Sequence, residues 1–367
     1  MLKRFEVENY RGFSEKLVFD LTARDYSFNR NLVYDGIVNK AIIYGKNGIG
    51  KSSLGFALFD MVSHLTDKMN LFPMFYRNLD NPEKPVTFKY SFKFGKDEIV
   101  YMYQKMETNH LLTEELTVNG KKLINYDYFN NAKESRYVDP ELKGTLNIAL
   151  IDNKLSVLKY IYRNTPTNEN SPITKIIKFC ENMLWFRSLS DGTNYMGYTN
   201  GGKVLTDTIY ESGKLEQFQK FLHGNGVDYD LKFEAENGNH VLYAYYNNGQ
   251  NKAPFISLAS TGTMALTLFY SWSILAFQKI SFLFIDEFDA FFHYESAEMI
   301  IQILNENKNF QSMVTTHNTY LMQNKLTRPD CCFLMTQNKI SNLYDATDRE
   351  IREAHNLEKM YINGAFV

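Results

Sequence analysis

Residues 42–59, IIYGKNGIGKSSLGFALF, place an apolar run, three glycines within six residues and an apolar pattern of helical spacing in direct succession. A strand that ends in such a turn and feeds a helix is the context in which Gly45–Ser52 gains its meaning, because it fits GxxxxGK[ST] at every specified position. Gly45, Gly48 and Gly50 let the backbone curl so that successive N–H groups, Asn47 among them, point inward at phosphate oxygens. The start of the helix at Ser52 and Ser53 adds its positive end. Lys51 has the reach for β and γ phosphates, and the Ser52 hydroxyl suits Mg²⁺. The bland alternative is a glycine-rich turn followed by a fortuitous Lys-Ser.

A phosphate loop of this kind needs a second, acidic element, and SFLFIDEFD offers one. Four apolar residues, Phe282 to Ile285, form a buried strand that ends in Asp286 and Glu287. Asp286 is placed to hold a metal through water, and Glu287 to polarise an attacking water. Two solvated acids at an ordinary strand end are the alternative.

The chain between and around these sites reads as α/β. LKRFEVENY alternates loosely enough to predict an edge strand, and LVFDL and AIIYG add two more apolar runs. VTFKYSFKF puts Val86, Phe88, Tyr90, Phe92 and Phe94 on one face, turns at Gly95-Lys96-Asp97 and returns as EIVYMYQ. Asn119-Gly120 and Asn237-Gly238 mark two further hairpins, since this pair suits a turn with positive φ at both central residues. ELKGTLNIALIDNKLSVLKYIYR and ITKIIKFCENMLWF read as helical segments, with core packing the preferred use of their apolar stripes. SFLFIDEF, SMVTTH and CCFLM read as strands of a buried parallel sheet. Repeats, heptad arrays and low-complexity tails are absent. The expected organisation is an ATPase-like α/β core built from both chain ends. Residues 1–139 carry the phosphate loop and a hairpin lobe, 140–255 form a mostly helical insertion with a hairpin, and 256–367 close the core.

Composition narrows the function classes. With 40 Lys and Arg against 42 Asp and Glu there is no bulk basic field, so any nucleic-acid contact has to be a local patch. Cys180, Cys331 and Cys332 read as small buried hydrophobes in a reducing compartment, without metal-ligand spacing. The first residues lack a signal-peptide core and no apolar stretch is long enough to span a bilayer, so a cytoplasmic protein without membrane contact is expected.

Three more stretches complete a pattern. ISLASTGTMALTLFYSW opens a strongly apolar helix with a polar Ser-Thr-Gly-Thr cluster, DAFFH follows Glu287, and MVTTHN ends an apolar strand in Thr316 and His317. The order of phosphate loop, SxGT signature, Asp-Glu and TTHN resembles the ABC-type ATPases of the SMC, RecF and OLD group. More narrowly it resembles the stand-alone AAA-type ATPases of prokaryotic anti-phage systems, the RloA and AbiL-like proteins and the ATPase subunits of PARIS and Septu. The opening FEVENYRGF and the closing REAHNLEKMYINGAF are similar to that family's two ends.

The resemblance implies an ABC-type P-loop NTPase core with a mixed β-sheet and an inserted hairpin and helical module. It implies ATP and Mg²⁺ as cofactors, with Ser260 and Gly262 contacting the γ-phosphate bound by a second subunit. His317 would sense the same phosphate, and Asp289 would lie in the loop facing the opposing subunit. A helix start with Ser, Gly and Thr does offer donors to an anion, and an imidazole can donate to phosphate. Yet Ser260 or Thr261 could equally be an N-cap worth about 1 kcal/mol, and a lone histidine at a strand end is usually satisfied locally.

The implied assembly is a homodimer or a higher even-numbered homo-oligomer that controls a separate effector, a nuclease or toxin, in phage defence. A RecF-like DNA-binding repair or DNA-sensing ATPase is the alternative, and an ATP-binding scaffold without hydrolysis is a third. The sequence departs from the wider group in lacking a coiled-coil arm and zinc hook, and in leaving no room for a TOPRIM nuclease. Gln104 is only a weak candidate for the Q-loop glutamine.

Overall fold

A computed structural model of the chain describes residues 1–68, 75–130, 132, 135–148, 151–166, 168–187, 195–197 and 205–366. Among these, two seven-stranded sheets carry the fold. The first is antiparallel throughout, in the order Arg136–Val138, Lys121–Asp127, His110–Val118, Asp97–Glu107, Val86–Phe94, Leu2–Glu8, Leu17–Asp20. The second runs Tyr195–Gly197, Met183–Arg187, Phe282–Asp286, Gln311–Thr316, Lys40–Tyr44, Cys332–Met335, Ile340–Asn342. Its five inner strands are parallel and an antiparallel strand closes each edge.

The inner strands are buried almost without alternation because both faces of that sheet are covered. On one face the helices Lys51–Leu58, Asp60–Leu65 and Pro172–Glu181 fill the space to the antiparallel sheet. Leu54, Leu58 and Met61 join Phe5, Phe88 and Phe92 on one side and Phe282, Phe284 and Met313 on the other in one core. On the opposite face the helices Thr261–Leu275 and Tyr294–Glu306 bring Leu266, Phe269, Trp272 and Ile300 onto Leu283, Ile285 and Val314. All three cysteines are buried and unpaired. No helix among the described residues is long and apolar enough to cross a membrane.

The hairpins expected at Asn-Gly pairs form with positive φ at both central residues, 50° and 79° at Asn119 and Gly120 and 49° and 82° at Asn237 and Gly238. This is the twist-matched turn that the pair favours.

Three expectations are corrected. Leu2–Glu8 is not an edge strand, because it pairs with Leu17–Asp20 on one side and Val86–Phe94 on the other; the short Leu17–Asp20 takes the edge. The segment from Glu141 to Arg163 is not one helical run. Gly144, at φ 52°, ends the short helix Pro140–Lys143, and the next helix, Val157–Asn164, starts only where the Ser156 side chain caps the Lys159 N–H. Finally, MLWF does not continue the helix before it. That helix stops at Glu181, and Met183–Arg187 is a strand whose first four residues are buried on both faces. Helical readings that fall on 149–150, 188–194 and 198–204 lie outside the described residues.

A buried polar network ties the helix Asp60–Leu65 to the antiparallel sheet. Lys105 donates to Asp60 at 2.7 Å with both side chains essentially inaccessible to water, and the Tyr76 and Tyr103 hydroxyls also donate to Asp60. One strand over, Glu114 accepts from the Tyr101 and Tyr128 hydroxyls, the Ser156 hydroxyl and the Val157 N–H. Removing one partner of a buried ion pair leaves an uncompensated charge. Lys105→Met is therefore expected to lower unfolding free energy by about 3–5 kcal/mol, and Asp60→Asn in the same chain to recover part of it. Urea titration of the parent and the two variants checks this; equal stability of Lys105→Met and the parent would contradict it.

Candidate nucleotide site

The strand Lys40–Tyr44 is buried along its whole length, and the chain leaves it through Gly45 into the helix Lys51–Leu58. That helix has Gly50 at its N-cap with φ 109° and no side-chain cap, so the first backbone N–H groups are not taken by a capping side chain. A backbone angle of this size is routine only for glycine. Space demands the same residue, since a Cβ on Gly50 would lie 2.9 Å from the Phe13 ring. Further along, a Cβ on Gly55 would carry its own demand, at 2.7 Å from Phe284 and 2.8 Å from Trp185, so the helix sits close on the sheet. The loop therefore presents free donors and a positive helix end on a rigid base.

Lys51 is buried and folds over its own loop, donating to Gly45 O at 2.6 Å and Lys46 O at 3.0 Å. Burial lowers its pKa, and the carboxylates of Glu287, Asp286 and Asp289 oppose that shift. Beside it, the Ser52 hydroxyl donates to Asp286 Oδ2 at 2.6 Å. The Thr315 hydroxyl donates to Asp286 Oδ1 at 2.8 Å and accepts from the Glu287 N–H at 2.7 Å. Asp286 is wholly buried; desolvation raises its pKa, offset by the two hydroxyl bonds and by Arg187. Ser52 and Asp286 are the pair that could hold a metal. A hydroxyl and a carboxylate are hard oxygen donors, and one direct hydroxyl ligand with a carboxylate acting through water, completed by phosphate, matches what Mg²⁺ accepts.

Glu287 sits in the left-handed region at φ 47°, a conformation that costs a non-glycine residue on the order of 1–3 kcal/mol and clusters at functional sites. Its side chain is half-buried and receives the Arg187 guanidinium, Nη2 at 2.5 Å and Nε at 3.2 Å. Neither Arg187 nor Thr315 stands out in the sequence. Each is brought to the site by strand register, Arg187 opposite Asp286 and Thr315 at the end of the neighbouring strand.

Asp289 accepts from the Thr316 hydroxyl at 2.7 Å, and burial raises its pKa. His317 is exposed at the end of Gln311–Thr316. The signature cluster is placed differently. Ser260 caps the helix Thr261–Leu275, its Oγ accepting from the Thr263 N–H at 3.1 Å and lying 2.9 Å from the Thr263 hydroxyl. A Cβ on Gly262 would approach Phe291 O to 2.8 Å, so only glycine lets this helix start lie against the loop after Glu287. No hydrogen bond among the described residues joins Ser260 or Gly262 to the phosphate loop of the same chain. Around the cluster Ile256, Leu258, Phe291 and Tyr294 are exposed, each by 40% or more. Gln104 lies on the antiparallel sheet, where its amide bonds Thr87 and Thr113.

A family model described as "AAA domain, putative AbiEii toxin, Type IV TA system" matches residues 40–323. A search of curated proteins finds no significant match. Among solved structures, the chain is similar to an SMC head domain from Thermotoga maritima. Identity is 14%, 93% of this chain and 98% of that one are covered, and the TM-score is 0.42. An SMC head bound to the C-terminal domain of ScpA, from Pyrococcus furiosus, gives 12% identity, 94% and 97% coverage and a TM-score of 0.44. The recombination mediator RecF with ATP gives 15% identity, 94% and 99% coverage and a TM-score of 0.40.

Proposed function

Because the chain belongs to this AAA-domain family, we propose that it binds and hydrolyses ATP at the loop Gly45–Ser52 and that two copies close around the nucleotide to control a partner effector. The observation that carries the reading is the 2.6 Å bond from Ser52 to Asp286, which joins the phosphate loop to an acidic strand end from the far part of the sequence. A bland glycine turn has no reason to be so joined.

In this reading the N–H groups of the loop and Lys51 bind the β and γ phosphates, Lys51 exchanging its two carbonyl partners for phosphate oxygens. Bound Mg²⁺, held by Ser52 and through water by Asp286, would offset the charge on the phosphate oxygens. Glu287 accepts a proton from water as the water oxygen bonds to the γ-phosphorus; the bond to the bridging oxygen breaks and its electron pair leaves with ADP. His317 donates to the γ-phosphate from its exposed strand end.

Ser260 and Gly262 are assigned to the nucleotide of a second copy. Supporting this, they make no bond to the loop of their own chain among the described residues, and exposed apolar side chains surround them. Two-copy closure would move the hairpin and helical module, a ligand-driven shift between states. The family description, which names a putative toxin of a toxin–antitoxin system, supports an effector-linked role, and prokaryotic anti-phage defence is the setting proposed. Light scattering on Glu287→Gln is expected to show the mass doubling on addition of ATP and Mg²⁺, and Ser260→Arg to remain at the lower mass. Equal ATP-dependent doubling in Ser260→Arg would count against the two-copy site.

A further inference from the structure

The register of the central sheet sets Arg187 opposite Asp286, at the end of a strand delivered by the segment inserted between the two halves of the site. Its guanidinium extends past Asp286, with Nε 3.7 Å from Asp286 Oδ2, to the next carboxylate. Both Arg187 donors fall on one atom, Glu287 Oε2, and no hydrogen bond among the described residues takes Glu287 Oε1. On the backbone side, the Thr315 hydroxyl fixes the Glu287 N–H at 2.7 Å. Glu287 is thus held at two points, in a left-handed backbone conformation, with one carboxylate oxygen anchored and the other left for water.

We propose that Arg187 is a positioning residue of the hydrolytic step: its guanidinium grips Glu287 Oε2 so that Oε1 faces the attacking water. The proposal rests on the reading of Glu287 as the group that takes the water proton. Arginine suits the task because its planar fork fixes a carboxylate in direction as well as distance, which a lysine ammonium cannot do. Asp286 needs no such help, having both oxygens bonded by Ser52 and Thr315. Because Arg187 ends the strand that the inserted segment supplies, a shift of that segment reaches the chemistry through this side chain.

Steady-state ATPase assays on Arg187→Ala, Arg187→Gln and Arg187→Lys test the idea. A carboxylate misplaced by about 1 Å can cost on the order of 100-fold in rate. Both neutral variants are expected to lose roughly 10- to 100-fold in kcat with KM for ATP within about threefold of the parent, since the phosphate loop is untouched. Arg187→Lys should recover part of the loss by keeping the charge. In the Glu287→Gln background, Arg187→Ala should slow the reaction no further, because two residues acting as a unit are not additive. A kcat at or above the parental value, a rise in KM with kcat unchanged, or an additive loss on top of Glu287→Gln would each overturn the proposal. If Arg187→Ala does not fold, the Gln and Lys variants carry the same comparison. Failure of the underlying reading is visible separately, as parental turnover by Glu287→Gln alone.

Discussion

Lys51→Ala is expected to lose ATP affinity by about 10- to 100-fold and to bring turnover down to background. Hydrogen bonds to charged groups contribute roughly 1.5–3 kcal/mol, and 1.4 kcal/mol corresponds to a factor of ten in affinity. Lys51 is the one ammonium folded over the loop among the described residues, 2.6 Å and 3.0 Å from the carbonyls of Gly45 and Lys46. Alanine leaves the helix propensity intact, and the removed contacts are to carbonyls of the loop itself. Melting temperature should therefore change far less than binding. Titration calorimetry with ATP, beside a thermal melt of the same variant, separates the two effects. Parental affinity in a folded variant would show that the loop does not hold the phosphates.

Glu287→Gln is expected to keep ATP affinity and lose turnover by about 100- to 10,000-fold, the range attributed to a positioned general base. The amide preserves size and can still meet the Arg187 guanidinium through its oxygen, so the anchored conformation survives while proton acceptance does not. ATP should consequently accumulate on this variant in the two-copy state. Rapid filtration after mixing with labelled ATP would show intact triphosphate retained on the protein. Undiminished phosphate release would remove Glu287 from the role.

Elements set by local sequence were legible before the structure. The phosphate loop needs only its glycines, Lys51 and Ser52 between a strand and a helix, and the structure places that strand and helix at Lys40–Tyr44 and Lys51–Leu58. The Asn-Gly turns needed only the tolerance of both residues for positive φ. The unbroken apolar runs Phe282–Ile285 and Cys332–Met335, with Met313 and Val314 between them in the chain, named a parallel sheet covered on both faces.

What escaped depends on neighbours distant in the chain. MLWF, four apolar residues after a helix, carries no period that distinguishes a buried strand from a buried helix end, and only pairing with Phe282–Asp286 decides. Leu2–Glu8 looked like an edge because its alternation is loose, yet Val86–Phe94 occupies its second side. Arg187 and Thr315 carry no motif at all; register alone brings them to Asp286 and Glu287. The Asn182 that closes the preceding helix, together with an arginine ending an apolar run, was the available signal for Arg187.

Acid-quenched single turnover with the chain in molar excess over ATP tests the central claim most directly, that Gly45–Ser52, Asp286 and Glu287 form one hydrolytic site. With Mg²⁺ present, the parent should convert its bound ATP to ADP and phosphate, Glu287→Gln should hold the ATP intact on the protein, and Lys51→Ala should leave its ATP unconverted and mostly unbound. Intact ATP recovered from the parent, or equal conversion by all three proteins, would contradict the account.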